Sequence, residues 1–184
     1  MTCHRRENVE SPDPLKAILD LCGQTDRTIF FTASYRTQKN LQRFGLTLPA
    51  NVKMVDPIGY DEMLALMVNS RGLVTDSGTV VEETAVLQVP SLQMRRATER
   101  PQVYDCRSSV KFDPGRPADY PADVVFGKLE GLFGKQWDHK LGDGKASERI
   151  VADLSDRMRN DGFRRHRPEL YHLDIRRSYI EDGL

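Results

Sequence analysis

The sequence predicts an α/β domain built on one parallel sheet. Between Leu15 and Arg100, short apolar runs rich in β-branched and aromatic residues alternate with stretches of helical period, the pattern of parallel strands joined by crossover helices. Glycines and capping residues fall where those elements should start and stop. A length of 184 residues, 39% of them hydrophobic, suits one core that buries roughly two-thirds of the unfolded surface.

The elements follow in order. A first helix is expected over residues 14–22, with Ser11 or Asp13 as N-cap, Gly23 as terminator, and Leu15, Ile18, Leu19 and Cys22 on its apolar face. Residues 28–33, Thr-Ile-Phe-Phe-Thr-Ala, read as a buried strand, residues 38–44 as a helix closed by Gly45, and residues 52–55 as the next strand. Met63, Leu64, Met67 and Val68 recur at helical spacing within residues 60–68. A short strand at 72–75, a helix at 80–87 and a strand at 90–94 complete the alternating part. After Arg100 the pattern weakens. Residues 113–121 are a Pro/Gly-rich connector, and helices resume over 122–133 and 146–158.

Composition excludes several classes. No apolar run approaches the ~20 residues of a membrane helix, so no membrane partner is expected. The 27 basic and 27 acidic residues cancel, which leaves no global footprint of a nucleic-acid binder. Any bound anion is then held locally. Cys3, Cys22 and Cys106 match neither a disulfide framework nor a zinc site and read as idle thiols in a reducing compartment. The first residues carry arginines without an apolar stretch, unlike a secretory signal, and a cytoplasmic location is the default expectation.

Residues 73–83, Leu-Val-Thr-Asp-Ser-Gly-Thr-Val-Val-Glu-Glu, read as strand, tight turn and helix. The first N–H groups of such a helix are unpaired and carry partial positive charge, so a phosphate fits there. Ser77 and Thr79 add hydroxyls, and Gly78 lets the backbone come close to a ligand. Glu82 and Glu83 are favoured by the helix dipole in any case, yet one of them could accept hydroxyl hydrogens from a ribose. His4, in His-Arg-Arg-Glu-Asn, follows a short strand at residues 1–3. It suits donation to a phosphate or proton transfer, with a solvated basic loop as the alternative. Arg96, Thr98, Glu99, Arg100 and Pro101 form a third polar cluster, whose arginines could meet a diphosphate or form exposed ion pairs.

Four motifs stand in one order: His4-Arg-Arg-Glu-Asn, Asp76-Ser-Gly-Thr-x-x-Glu-Glu, Thr98-Glu-Arg-Pro, and Gly142-Asp-Gly-Lys-Ala-Ser-x-Arg-Ile. Together, over residues 1–155, they resemble the C-terminal domain of the non-hydrolysing UDP-N-acetylglucosamine 2-epimerases. The resemblance implies a Rossmann-like domain, one half of a two-domain glycosyltransferase-B-type fold, that grips the nucleotide. It implies His4 as the catalytic histidine, Ser77, Gly78 and Thr79 as the diphosphate turn, Glu83 as the ribose carboxylate and Arg100 as the Thr-Glu-Arg-Pro arginine. The implied ligand is UDP or a UDP-N-acetylhexosamine, with no redox cofactor and no metal.

In that family an N-terminal domain supplies acid/base carboxylates, so the chain is expected to work with such a domain or a second chain and to be inactive alone. Three motif positions depart. Ser34-Tyr35-Arg36-Thr37 replaces His-Pro-Arg-Thr, Val81 replaces Gln in Gln-Glu-Glu, and Gln102 replaces Glu after Thr-Glu-Arg-Pro. Two other functions remain open, a non-catalytic UDP-sugar-binding module and a glycosyltransferase-B donor domain. Residues 1–160 are expected to form the UDP-binding domain. Residues 161–184, apolar with a basic run, are expected to form a tail that docks on another domain or on the second copy of a homodimer, with folding back onto its own domain as the alternative.

Overall fold

A computed structural model describes residues 1–160; the expected docking tail, residues 161–184, lies outside the described residues. The chain divides into two compact units, Met1–Leu141 and one that begins at Gly142.

In the first unit β1 (Ile29–Thr32) pairs in parallel with β2 (Val52–Val55), Ile29 opposite Val52 and Thr32 opposite Val55. β3 (Leu73–Thr75), β4 (Ser91–Met94) and β5 (Ser109–Phe112) form a second parallel ladder in that order. The N-terminal segment ties the two together. Thr32 N–H donates to Met1 C=O at 3.0 Å, Thr2 N–H donates to Val74 C=O at 2.9 Å, and Thr2 bridges in parallel to Thr75. The spatial order is therefore β2, β1, residues 1–3, β3, β4, β5. Counted along the chain with the N-terminal segment first, this is the 3-2-1-4-5-6 order of the doubly wound Rossmann sheet. The order reverses between the N-terminal segment and β3. A crevice at such a reversal opens beyond the carboxyl ends of the strands, here at His4 and Asp76.

The helices are α1 (Arg6–Val9), α2 (Pro12–Cys22), α3 (Tyr35–Arg43), α4 (Tyr60–Val68), α5 (Gly78–Val86), α6 (Gln102–Asp105) and α7 (Ala122–Glu130). α2 forms as the periodicity predicts. Leu15, Ile18 and Leu19 are buried in one cluster with Phe31, Leu92, Met94 and Phe112 of the sheet and with Val125 and Leu129 of α7. Each such side chain contributes about 1.5–3 kcal/mol by leaving water. A smaller cluster joins Val81 and Ala85 of α5 to Val103 of α6. The far end of α5 is anchored too, since the Trp137 indole N–H donates to Ala85 C=O at 2.7 Å and satisfies a carbonyl of its last turn.

Most expected elements are present, with ends that shift by a few residues. α3 begins three residues early because Ser34 caps it, its hydroxyl accepting from Thr37 N–H at 3.2 Å. α5 begins at Gly78 rather than Val80, with Ser77 as cap. α7 ends at Glu130, before the expected 133. β5, α1 and α6 had not been expected. The 113–121 connector is a turn, with Asp113 Oδ1 accepting from Gly115 N–H at 2.9 Å. In the second unit, every residue of α8 (Ala146–Arg159) is exposed apart from the half-buried Ser155. No helix among the described residues is long and apolar enough to cross a membrane.

Candidate functional site

β3 ends at Thr75 and α5 starts three residues later, with three hydroxyls fixing the turn between them. Thr75 Oγ1 accepts from Ser77 N–H at 3.0 Å and lies 2.6 Å from Thr2 Oγ1, while Ser77 Oγ accepts from Val80 N–H at 3.4 Å. The cap thus uses one of the orphan donors of α5. The N–H groups of Gly78 and Thr79 have no hydrogen-bond partner among the described residues. They point from a helix end whose dipole favours an anion.

Cations surround this helix end. An open pocket of about 450 Å³ is lined by His4, Arg5, Arg6, Arg36, Ser77, Gly78, Thr79, Glu99 and Arg100. Of the residues expected from sequence, His4, Ser77, Gly78, Thr79 and Arg100 come together here, and Glu83 stands one helical turn further along α5, outside the lining. Arg36 donates to the His4 carbonyl and reaches the pocket from α3.

One carboxylate occupies the cationic ring. Glu99 accepts from Arg5 Nη2 at 3.1 Å and from Arg95 Nη1 at 2.7 Å, and Arg100 Nη1 lies 3.5 Å away. Its Oε1 would stand 3.0 Å from a Cβ built on Gly78, so it rests against the helix end. A hydrogen bond from its own backbone N–H, then those from Arg95 and Arg5, hold Glu99 down at about 2. Glu99 therefore stays anionic and stands in for an anion on these arginines.

Asp76 is the main residue of the candidate site that sequence reasoning missed, although it sits in a quoted motif. Its carboxylate is fully buried and accepts from His4 N–H at 3.0 and 3.1 Å, Arg5 N–H at 2.9 Å and Asn8 Nδ2 at 3.1 Å. Arg5 Nε returns a bond to Asp76 C=O at 3.2 Å, and His4 Nδ1 stands 3.6 Å from Asp76 Oδ1. The end of β3 thereby holds His4, Arg5 and the start of α1 against the α5 N-terminus. The available signal was an acidic residue between a strand and a Ser-Gly turn, facing a loop rich in donors.

The two adjacent glutamates separate clearly. Glu82 Oε1 lies 2.7 Å from Arg100 Nε, a close ion pair whose N–H points off the oxygen. Glu83 instead accepts from the Tyr60 hydroxyl at 3.0 Å, and this bond raises Tyr60 above its ordinary value. In the third cluster Arg96 is exposed, while the neighbouring Arg95, which drew no attention in the sequence, is buried. Thr98 Oγ1 braces the loop by accepting from Arg100 N–H at 3.1 Å.

The departures from the family motifs have local explanations. Ser34 caps α3, and Thr37 Oγ1 donates to Cys3 C=O at 2.8 Å. Val81 is buried against Ala85 and Val103, where an amide would need a partner. Gln102 opens α6. In the second unit Arg149 grips Asp143 through both nitrogens at 2.8 and 2.6 Å, which lowers Asp143.

A model of the UDP-N-acetylglucosamine 2-epimerase family matches residues 1–155. The UDP-N-acetylglucosamine 2-epimerase of Methanocaldococcus jannaschii is 33% identical over 84% of this chain and 43% of its own length. The UDP-2,3-diacetamido-2,3-dideoxy-D-glucuronate 2-epimerase of Pseudomonas aeruginosa is 31% identical over the same shares, 84% and 43%. The crystal structure of the M. jannaschii enzyme in complex with UDP-N-acetylglucosamine and UDP superposes with a TM-score of 0.71 at 32% identity, over 84% of this chain and 44% of that one. The Neisseria meningitidis 2-epimerase bound to UDP-N-acetylglucosamine superposes with a TM-score of 0.66 at 26% identity, over 84% and 43%. The chain thus spans less than half the length of these relatives. It belongs to the UDP-N-acetylglucosamine 2-epimerase family, to whose C-terminal domain it corresponds.

Proposed function

We propose that this chain is the UDP-binding half of a nucleotide-sugar 2-epimerase. The observation that carries the reading is the pair of free N–H groups of Gly78 and Thr79 at the α5 N-terminus, ringed by His4, Arg5, Arg36 and Arg100. A diphosphate has the charge and the oxygens to accept from these donors, and arginine meets it with two bonds at once. It would take over Arg5 from Glu99, and Arg100 from Glu99 and Glu82. Glu83, one turn along α5, suits the ribose, and UDP is the part that the substrates in the relatives' names share.

The reaction removes the C2 proton of the sugar and breaks the C1–oxygen bond, releasing UDP and a glycal. Re-addition of UDP with protonation of C2 from the other face gives the epimer. In this reading His4 serves at the leaving diphosphate, with Asp76 holding its backbone in place. The carboxylates that handle the C2 proton belong to an N-terminal domain in the family resemblance. Without such a domain opposite, loss of positioned proton transfer alone costs ~10²–10⁴ in rate.

Calorimetry with UDP and UMP tests the reading. UDP is expected to bind at least about tenfold more tightly, as charge-assisted bonds to the second phosphate predict. Equal affinities for UDP and UMP would contradict it.

A further inference from the structure

Among the described residues Glu83 is held by one side chain, Tyr60. Tyr60 opens α4, where Glu62 Oε2 accepts from Gly59 N–H at 2.9 Å and fixes the helix start. α4 follows β2 and α5 follows β3, so both helices begin at the carboxyl-end edge of the sheet. The hydrogen bond from Tyr60 to Glu83 links the two across that edge. Burial does not account for the position of the ring, which is 63% exposed.

Among the described residues Glu83 makes no ion pair, whereas its neighbour Glu82 is matched by Arg100. A neutral hydroxyl donor fixes the rotation of the carboxylate without cancelling its charge. Oε2 and a lone pair of Oε1 then remain for two vicinal hydroxyls, which a cationic partner would weaken.

We propose that Tyr60 is a positioning residue for Glu83, and that the pair makes this site select a ribonucleoside diphosphate over its 2′-deoxy counterpart. The proposal rests on the nucleotide reading above. A site aligned to bond both ribose hydroxyls leaves a carboxylate lone pair unmatched when the 2′-hydroxyl is missing. Because Glu83 is only half-buried, water replaces part of the loss.

The test is calorimetry on the full chain with UDP and 2′-deoxy-UDP, for the wild type, Tyr60→Phe, Glu83→Gln and the double variant. The wild type is expected to favour UDP on the order of tenfold, the size of one hydrogen bond to a charged group. Tyr60→Phe should shrink that ratio severalfold while the melting temperature stays within about two degrees, as for other exposed substitutions. The double variant should match Glu83→Gln alone, since the hydroxyl acts through the carboxylate. A Tyr60→Phe protein that keeps the wild-type ratio, or loses both ligands by the same factor, overturns the role of Tyr60. Wild-type binding of UDP with no preference over 2′-deoxy-UDP overturns the selectivity and leaves the nucleotide site standing. Failure of the wild type to bind UDP overturns the nucleotide reading and this inference together.

Discussion

The two ends of the sheet carry two different concavities. At the amino ends of β1 and β3, an apolar cavity of about 340 Å³ is lined by Ile29, Met63, Leu66, Leu73, Phe126 and Leu129. Its rim is tied by Glu130, which meets Arg27 at 3.0 Å and Arg71 at 3.4 Å, while Arg71 also lies 4.1 Å over the Phe133 ring. At the carboxyl ends the pocket is more open and lined mainly by polar side chains, and its arginines face a helix end with unpaired donors among the described residues. An enclosed apolar hollow is the usual first guess for a ligand site. Among the described residues the amino-end cavity also has Thr28, Asn69 and Ser70 in its lining, but no helix begins there with unpaired N–H groups facing a ring of arginines. What distinguishes the candidate site is unpaired donors at a helix end, not enclosure.

If that contrast holds, substitutions at the two ends should separate stability from binding. The largest effect is expected from Asp76→Ala at the polar end, which strips the acceptor from His4 N–H, Arg5 N–H and Asn8 Nδ2 at once. With roughly 1–3 kcal/mol for each buried donor left unpaired, stability should fall by about 3 kcal/mol or more. Thermal melting should drop by on the order of 10 °C, and UDP binding should be lost with it. A well-folded variant with intact binding would mean that Asp76 is not what holds the His4 loop.

At the apolar end, Leu129→Ala should cost about 2 kcal/mol or more through lost burial and a residual void. UDP affinity should be unchanged in calorimetry, and a loss of affinity at the native temperature would break the contrast. Gly78→Ala should do the reverse. Its Cβ would meet Glu99 Oε1 at 3.0 Å and Arg5 Nη2 at 3.6 Å, disturbing the ligand side while suiting a helix. UDP affinity should fall about tenfold, with melting nearly unchanged.

The smallest effect is that of acid. Glu99 lies at about 2 in the folded chain against an ordinary 4.5, so the stability it adds is present above pH 4.5 and is lost as the pH falls towards 2. Its side chain is 46% exposed, which keeps the effect modest. The advantage in melting temperature of the wild type over Glu99→Gln should shrink across that window, and a constant difference would show that Glu99 is not held below its ordinary value in the folded chain.

Much of this was legible in the sequence because strong local patterns coincide with tertiary ones. The residue 52–55 strand and the residue 60–68 helix fall where their periodicity puts them. The Ser77-Gly78-Thr79 turn declares itself by cap chemistry alone, and His4 and Arg100 were placed by motif order. β5 was not legible, since Ser-Val-Lys-Phe has too little apolar character and becomes a strand by pairing with β4. The roles of Asp76, Arg95 and Tyr60 were not legible either. Asp76 depends on residues 4–8 and Tyr60 on Glu83, partners far along the chain, while Arg95 bonds Glu99 four residues on but owes its burial to the tertiary fold. Periodicity carries no information about such pairs.

Amide chemical-shift mapping with UDP tests the central assignment most directly, because both ends of the sheet are read in one titration. The Gly78 and Thr79 amides, followed by His4 and Arg5, should shift and saturate with a single affinity, while the amides of Asn69 and Gly72 beside the apolar cavity stay still. Saturable shifts at Asn69 and Gly72 with no response at Gly78 and Thr79 would contradict it, and would move the nucleotide to the other end of the sheet.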